Sequence, residues 1–281
     1  SIFQNIYILN QEKPNYVLIL SGDHIYKMDY RNMINYHIEK KADLTIGAFE
    51  IQKQDAKRFG VLKINDEWQV IDFKEKPDNP FTLGNSNISL VSMGIYMFNT
   101  DVLVKRLIKD AKDKNSSHDF GKDIIPAMIN TDKIFAYKFI NEDKKETRYW
   151  QDIGTVDSYY QANMDFLNPE VILNLFDRNW PIMTYQCQAP PAKIISYQGL
   201  ESKIINSLIS NGCIIDGSFI SKSILSPYVF VGKGSSVIDS IIFENVKIGV
   251  NCKIKNTIID KNVYIPNGTN IGYNYQIDKK R

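Results

Sequence analysis

Residues 225–271 read LSPYVFVGKGSSVIDSI (225–241), IFENVKIGVNCKIKNTI (242–258) and IDKNVYIPNGTNI (259–271). Leu225, Val231 and Val237 stand six apart; Ile242, Ile248 and Ile254 repeat that spacing, as do Ile259, Ile265 and Ile271, and each trio begins seventeen residues after the last. An apolar residue every six positions, in groups of three with a five-residue step at the third corner, predicts a β-helix of triangular section. Each hexad supplies one face and sends its apolar side chain into the core. An antiparallel sheet with turns would show period-two alternation and no register between coils. The open ends and flat faces of such a coil leave strand edges and apolar surface for a cap or another subunit to cover, so a homo-oligomer is expected. Hexad coils also occur in acyltransferases, which use a histidine base within the coils. Here His24, His37 and His118 all precede the repeat, which points to a structural or regulatory role for it.

Upstream of the repeat, residues 168–195 carry Pro169, Pro181, Pro190 and Pro191 and read as a linker to a β-helix domain over 196–281. Residues 1–167 alternate short β-rich apolar runs with amphipathic stretches, the pattern of an α/β domain with a largely parallel sheet. Tyr16 to Leu20 is expected to be a buried strand that runs through Ser21-Gly22-Asp23-His24 towards a helix capped by Asp29, with Met33, Ile34 and Ile38 facing inward. Further strands are expected at Leu44–Phe49, Gly60–Ile64, Val70–Phe73 and Ser92–Phe98, and helices near Val102–Lys112 and Val156–Leu167. A helix-like pattern (Ile2, Phe3, Ile6, Leu9) begins almost at Ser1, so a preceding segment is expected.

Composition narrows the function classes. With 281 residues and 43% hydrophobic content the chain can bury a full core in two domains. Thirty-four Lys and Arg against thirty-two Asp and Glu leave a net charge of +2, no electrostatic footprint for nucleic acid or an anionic membrane. Any phosphate-bearing ligand must be held by a local site. Cys187, Cys213 and Cys252 are too few and too far apart for a disulfide framework or a zinc cluster, which suggests a reducing compartment. No apolar run is long enough to span a bilayer and no signal peptide pattern precedes Asn15, so a cytoplasmic location is expected.

Several residues could carry chemistry. Asp23, at the C-terminal end of a strand, could hold a hard divalent cation over phosphate oxygens or simply cap a turn. After the strand Val70–Phe73, Lys76 beside Pro77 could meet a sugar phosphate while Glu75 accepts sugar hydroxyls, or the pair could form a solvated turn. In Ser92-Met93-Gly94 the glycine would admit a ligand and the serine hydrogen-bond to it. Helix capping would account for Asp119 and Asp123 in the stretch 118–123, and Asp152 is a second isolated carboxylate ahead of a predicted helix.

Taken together these segments resemble the ADP-glucose pyrophosphorylases (glucose-1-phosphate adenylyltransferases) over nearly the whole chain. The stretch 18–26, Phe59-Gly60-Val61, Glu75-Lys76-Pro77 and the run 92–96 are shared with other sugar nucleotidylyltransferases. The stretch 115–123, Tyr149-Trp150 with 152–155, the run 177–182 and Pro190-Pro191-Ala192-Lys193 are more specific. The resemblance implies a Rossmann-like nucleotidyltransferase domain of α/β class, incomplete at its N-terminus, followed by a left-handed parallel β-helix of hexapeptide repeats. It implies the reaction of ATP with glucose 1-phosphate to give ADP-glucose and pyrophosphate, for glycogen or starch synthesis, with Mg²⁺ as cofactor in an allosteric cytoplasmic tetramer. Asp23 and Asp152 would hold the metal, Asp23 being essential to chemistry. Lys76 would bind the sugar phosphate; Gly60, Glu75 and Ser92 would line the sugar site, with Asp119, Phe120 and Trp150 close by.

Two features depart from the family pattern. The glycine-rich, arginine-containing nucleotide loop, within roughly a hundred N-terminal residues of a typical member, has no counterpart here, so this chain alone is expected to be inactive. Gln151 stands where the family usually has Lys or Arg. These departures leave room for a non-catalytic assembly or regulatory subunit of the same system. Another nucleotide-sugar pyrophosphorylase would not be expected to share 115–123.

Overall fold

Ile88–Asn99, twelve residues with Gly94 inside the run, forms the strand around which the first half of the chain is organised. The computed structural model describes residues 2–141, 146–147, 149–170 and 173–280. The chain divides into two units, Ser1–Tyr149 and Trp150–Arg281.

In the first unit, helix α1 (Ile6–Glu12) precedes strands β1 (Tyr16–Ile19) and β2 (His24–Tyr26), helix α2 (Tyr30–Lys40), strands β3 (Leu44–Gln52), β4 (Gly60–Ile64), β5 (Val70–Glu75) and β6 (Ile88–Asn99), helices α3 (Thr100–Asp110) and α4 (Ile125–Met128), and strand β7 (Ile134–Lys138). The main sheet runs β5-β4-β6-β3-β7, with β1 also paired to β6. Its core includes Leu44, Ile46, Leu62, Leu90, Phe98, Leu103 and Ile125, all essentially removed from solvent.

The expectation of a largely parallel sheet is wrong for this unit. Strands β1 and β6, β3 and β6, β4 and β5, and β4 and β6 all pair antiparallel, and among the described residues of this sheet only β3 and β7 pair parallel. The short link from β4 to β5, in which Asn65 Oδ1 accepts the N–H groups of Glu67 and Gln69, can only turn the chain back on itself, whereas parallel pairing needs a long crossover. Strand β1 is not buried as expected: Val17, Leu18 and Ile19 are half-buried and Leu20 is 43% exposed.

Helix α2 starts where Asp29 accepts from the Arg31 N–H at 3.0 Å. Its buried face is Met33 and His37; Ile38, expected inward, is 48% exposed. The imidazole can replace an aliphatic chain there because both its nitrogens are bonded, Nδ1 2.7 Å from Thr45 Oγ1 and Nε2 3.2 Å from Asn99 Oδ1. Asn99 Nδ2 donates to the Ala42 carbonyl, so Asn99 Oδ1 accepts from His37 Nε2–H and the Thr45 hydroxyl donates to Nδ1.

The second unit begins with strand β10 (Trp150–Asp152), numbered after the two-residue strands β8 (Ile140–Asn141) and β9 (Glu146–Thr147), and continues in helix α5 (Val156–Asp165). From Lys193 onward the chain forms a parallel β-helix of three sheets, with five, five and four strands. The register is the one the hexads predict. Leu225 lies beside Ile242 and Ile242 beside Ile259; Val231, Ile248 and Ile265 line up, as do Val237, Ile254 and Ile271. The coils also extend upstream with a shorter step: Ile209 pairs with Leu225 and Ile215 with Val231, sixteen residues apart.

Two features accompany the apolar hexads. The corners use left-handed backbone at Lys222, Asp239 and Asn256, at Tyr228, Asn245 and Asn262, and at Gly234, Asn251 and Gly268, each trio on the seventeen-residue step. Small hydroxyls inside the coil accept backbone N–H groups one coil on: Ser223 Oγ from Ser240 at 3.1 Å, Ser235 Oγ from Cys252 at 2.9 Å and Ser240 Oγ from Thr257 at 3.3 Å. Cys213 and Cys252 are free thiols buried in this core.

Candidate active site

Strand β6 is bulged where it passes β3: Ile46 pairs with Tyr96 but Ala48 with Ser92, so Met93, Gly94 and Ile95 lie opposite a single residue, Gly47. Gly94 sits at the bulge with φ +69°, and a Cβ there would lie 3.0 Å from His24 Cε1 and 3.5 Å from Ser21 Cβ. The glycine therefore lets the loop after β1 lie directly on β6. In that loop Ser21 Oγ donates to Asp23 Oδ1 at 3.1 Å, His24 Nε2 is 3.7 Å from the same oxygen, and the Asp23 side chain is 59% exposed.

One residue before the bulge, Ser92 is buried; its Oγ accepts the Gly94 N–H at 3.2 Å and donates to Tyr96 Oη at 3.3 Å. The Tyr96 ring stacks on Phe120, centroids 5.8 Å apart and planes within 14°. Burial raises the Tyr96 hydroxyl above its ordinary value; the Ser92 hydrogen bond works against this, and the Glu75 and Asp119 carboxylates add to it.

Glu75 ends β5 half-buried. Burial pushes its carboxyl up and Asp119 adds to that push, while Lys76 and Lys122 pull it down. A Cβ at Gly60 would lie 2.9 Å from Glu75 Oε2, and one at Gly121 would lie 2.5 Å from the same oxygen. Glu75 is thus held in a slot that only two glycines leave open. Lys76 has left-handed backbone, φ +48°, with its N–H on the Phe59 carbonyl at 3.0 Å and its side chain exposed.

Asp119 stands at the head of a wide helical turn, Phe120–Ile124, in which Ile124 N–H reaches back to the Asp119 carbonyl. Asp119 Oδ1 accepts from Gly121 N–H at 2.8 Å and Lys122 N–H at 2.9 Å, so the expected capping role is present. Asp123 caps differently: its Oδ2 accepts from Ser117 Oγ and from the N–H groups of Ser117 and Asp119, which holds its carboxyl below the usual range.

The first unit thus brings Gly60, Glu75, Lys76, Ser92, Asp119 and Phe120 into one neighbourhood, with Asp23 linked to it through Gly94. Sequence reasoning gave no role to Tyr96, Gly121 or Lys122. Each is in or beside a stretch singled out for its pattern, but only the folded contacts show that Tyr96 joins Ser92 to Phe120 and that Gly121 makes room for Glu75.

Trp150 and Asp152 belong to the second unit, both half-buried. Asp152 Oδ1 accepts the Gly154 N–H at 2.9 Å, and Thr155 caps α5 in a reciprocal pair with Ser158. The donor chemistry of Asp23 and Asp152 fits a hard divalent cation. Asp23 lies on the loop after β1 and Asp152 ends β10, and in each a hydrogen bond from its own segment engages Oδ1.

A mixed sheet carrying a carboxylate loop and a glycine-lined slot, followed in the chain by hexapeptide coils, is the architecture of a nucleotidyltransferase with an appended β-helix. The nucleotidyl transferase family model matches residues 1–169, and that of the GlmU-like C-terminal hexapeptide matches residues 190–281. The whole chain is 42% identical to glucose-1-phosphate adenylyltransferase of Rhodopirellula baltica, of which it covers 64%, and 45% identical to that of Koribacter versatilis, of which it covers 68%. It is 46% identical to glucose-1-phosphate adenylyltransferase 2 of Vibrio cholerae, covering 70%. The chain belongs to the glucose-1-phosphate adenylyltransferase family and spans about two thirds of the length of these relatives. Among the described residues no helix is long and apolar enough to cross a membrane.

Proposed function

We propose that this chain carries the glucose 1-phosphate site of an adenylyltransferase that converts ATP and glucose 1-phosphate to ADP-glucose and pyrophosphate. The observation that carries the reading is the slot at Glu75. A half-buried carboxylate kept beside a second acid, against two glycines where there is no room for a Cβ, costs stability, as expected of an acceptor for sugar hydroxyls. Lys76, the next residue, places an ammonium for the sugar's phosphate. Asp119 and Ser92 flank the sugar and Phe120 on Tyr96 gives it an apolar wall; family membership adds Trp150 to the sugar-binding residues.

In this reading the sugar phosphate attacks the α-phosphorus of ATP, and the protein's part is to hold the reacting oxygen in line and to balance charge. Asp23 and Asp152 would hold Mg²⁺, which when bound neutralises phosphate charge and orients the triphosphate. Pairing these two acids on one cation rests on family membership and donor chemistry. The same reading includes a role in glycogen synthesis, allosteric control, a homotetrameric assembly and a cytoplasmic location. It also includes a division at 1–167, 168–195 and 196–281, which the family matches over 1–169 and 190–281 support.

The test is calorimetric titration of this chain with glucose 1-phosphate and, as a control, galactose 1-phosphate, alongside Gly121→Ala and Lys76→Gln. Selective binding lost on Lys76→Gln, and weakened when a methyl group enters the Glu75 slot, is expected. No binding, or binding indifferent to both substitutions, would remove the reading.

A further inference from the structure

The carboxylate of Asp110 is in a place that helix electrostatics disfavour. It ends α3, where the carbonyl end of the macrodipole repels an anion, and its side chain is only 13% exposed. Its two oxygens account for the placement. Oδ1 accepts from Ser116 Oγ at 2.6 Å, and Oδ2 accepts from His118 Nδ1 at 2.7 Å. Ser116 Oγ in turn accepts the His118 backbone N–H at 2.9 Å. His118 itself has left-handed backbone, φ +59°, a conformation that is strained for a residue with a Cβ. The next two residues are Asp119 and Phe120.

Packing alone does not hold this loop. A cavity of about 290 Å³ lined by Arg106, Asn115, Ser116 and Lys122 lies along it, and another of about 390 Å³ lined by Phe3, Leu107, His118 and Phe120. Asp110 and Ile124 line both. Hydrogen bonds are what fix the loop: Asp110 holds Ser116 and His118, and Asp123 holds Ser117 and the Asp119 N–H.

From this geometry we infer that His118 and Asp110 form a positioning pair for the sugar site: the Nδ1–H···Oδ2 bond holds His118 in its left-handed turn and so sets the direction in which Asp119 and Phe120 are presented. The inference rests on the proposal that Asp119 and Phe120 flank glucose 1-phosphate. His118 touches no reacting atom in this account. It acts through Asp119, whose Oδ1 is committed to the Gly121 and Lys122 N–H groups, so a small rotation of the loop moves the other oxygen and the Phe120 ring together.

The backbone and side-chain contributions of His118 separate by substitution. Asparagine tolerates left-handed backbone and can donate through its amide. Glycine tolerates the backbone but cannot donate, and alanine can do neither. Two measurements are made on the whole chain and on H118N, H118G and H118A: hydrogen exchange of the Gly121 and Lys122 amides, and calorimetric affinity for glucose 1-phosphate. Expected is faster exchange and roughly tenfold weaker binding in H118A, the loss of one charge-assisted hydrogen bond, with H118G between and H118N within about threefold of the parent. Exchange unchanged in H118A, or H118N no better than H118A, overturns the inference whatever the sugar does. If the parent chain itself does not bind glucose 1-phosphate, the site reading falls, and amide exchange alone then decides whether the pair holds the loop.

Discussion

Glu75 illustrates how a residue can work against the fold that holds it. An acid whose carboxyl is raised in the folded state is stabilised there by protonation, so its ionised form lowers stability above the folded-state value, and the effect vanishes below the ordinary carboxylate value. Replacing Glu75 with Gln should therefore raise the melting temperature at pH 8 while reducing glucose 1-phosphate affinity on the order of tenfold or more, read by thermal melts and calorimetry on the same sample. A variant that melts lower and still binds would contradict the assignment. His37 runs the other way. Burial lowers its value, against smaller upward pulls from Asn99 and Asp43, so the unfolded chain binds the proton more readily. Its contribution to stability is complete above the ordinary histidine value of 6.5 and declines as pH falls through 6.5 toward the lower folded value. Urea unfolding at pH 7.5 and pH 5.5 should show this loss in the parent and a smaller one in His37→Gln.

At the scale of elements, the β-helix concentrates its stability in three columns of aliphatic side chains and its geometry in three columns of left-handed corners. Ile248 is central in one apolar column, between Val231 and Ile265, and fully buried. Truncating it as Ile248→Ala should cost about 2–5 kcal/mol in denaturant unfolding of the second unit. Asn262 tests the corners. At φ +62° it should lose roughly 1–2 kcal/mol when replaced by Ala but almost nothing when replaced by Gly; equal losses would mean that its bond with Asn245, not its backbone, matters. The apolar columns were legible because period six cannot be satisfied by any other simple strand arrangement. The β-helix was expected from 196, but the register of the coils upstream of Leu225 was not read, because steps there can be sixteen, as in Ile215 to Val231, and a count in register with seventeen passes over them. Strand β1 was misjudged for a related reason: an apolar run such as Tyr16–Leu20 looks the same at the edge of a sheet as at its centre.

At the scale of the whole molecule, Asp23, Glu75 and Lys76 belong to the first unit, and Trp150 and Asp152 to the second. If the assignment of Asp23 is right, joining this chain to the additional segment its relatives possess should give Mg²⁺-dependent pyrophosphate release from ATP and glucose 1-phosphate. Release should stop with a chelator and fall by several orders of magnitude in Asp23→Asn, without loss of glucose 1-phosphate binding. Full activity in Asp23→Asn would move the metal elsewhere. The chain alone is expected to bind the sugar phosphate and release little or no pyrophosphate.

By itself the sequence determined the β-helix, its seventeen-residue coil and the family of the chain, because hexad spacing is a property of neighbours along the backbone and family motifs are contiguous. Family resemblance grouped Glu75, Lys76, Ser92 and Asp119 in one sugar site but gave no contacts that relate them. Tertiary structure decided that relation: Gly60 and Gly121, sixty-one positions apart, are the two walls of one slot around Glu75, and Tyr96 joins Ser92 to Phe120. It also decided that the sheet is mainly antiparallel and that His37 rather than Ile38 faces the core. Strand direction and burial of a polar ring depend on which partners the rest of the chain brings, and no local pattern of residues encodes those partners.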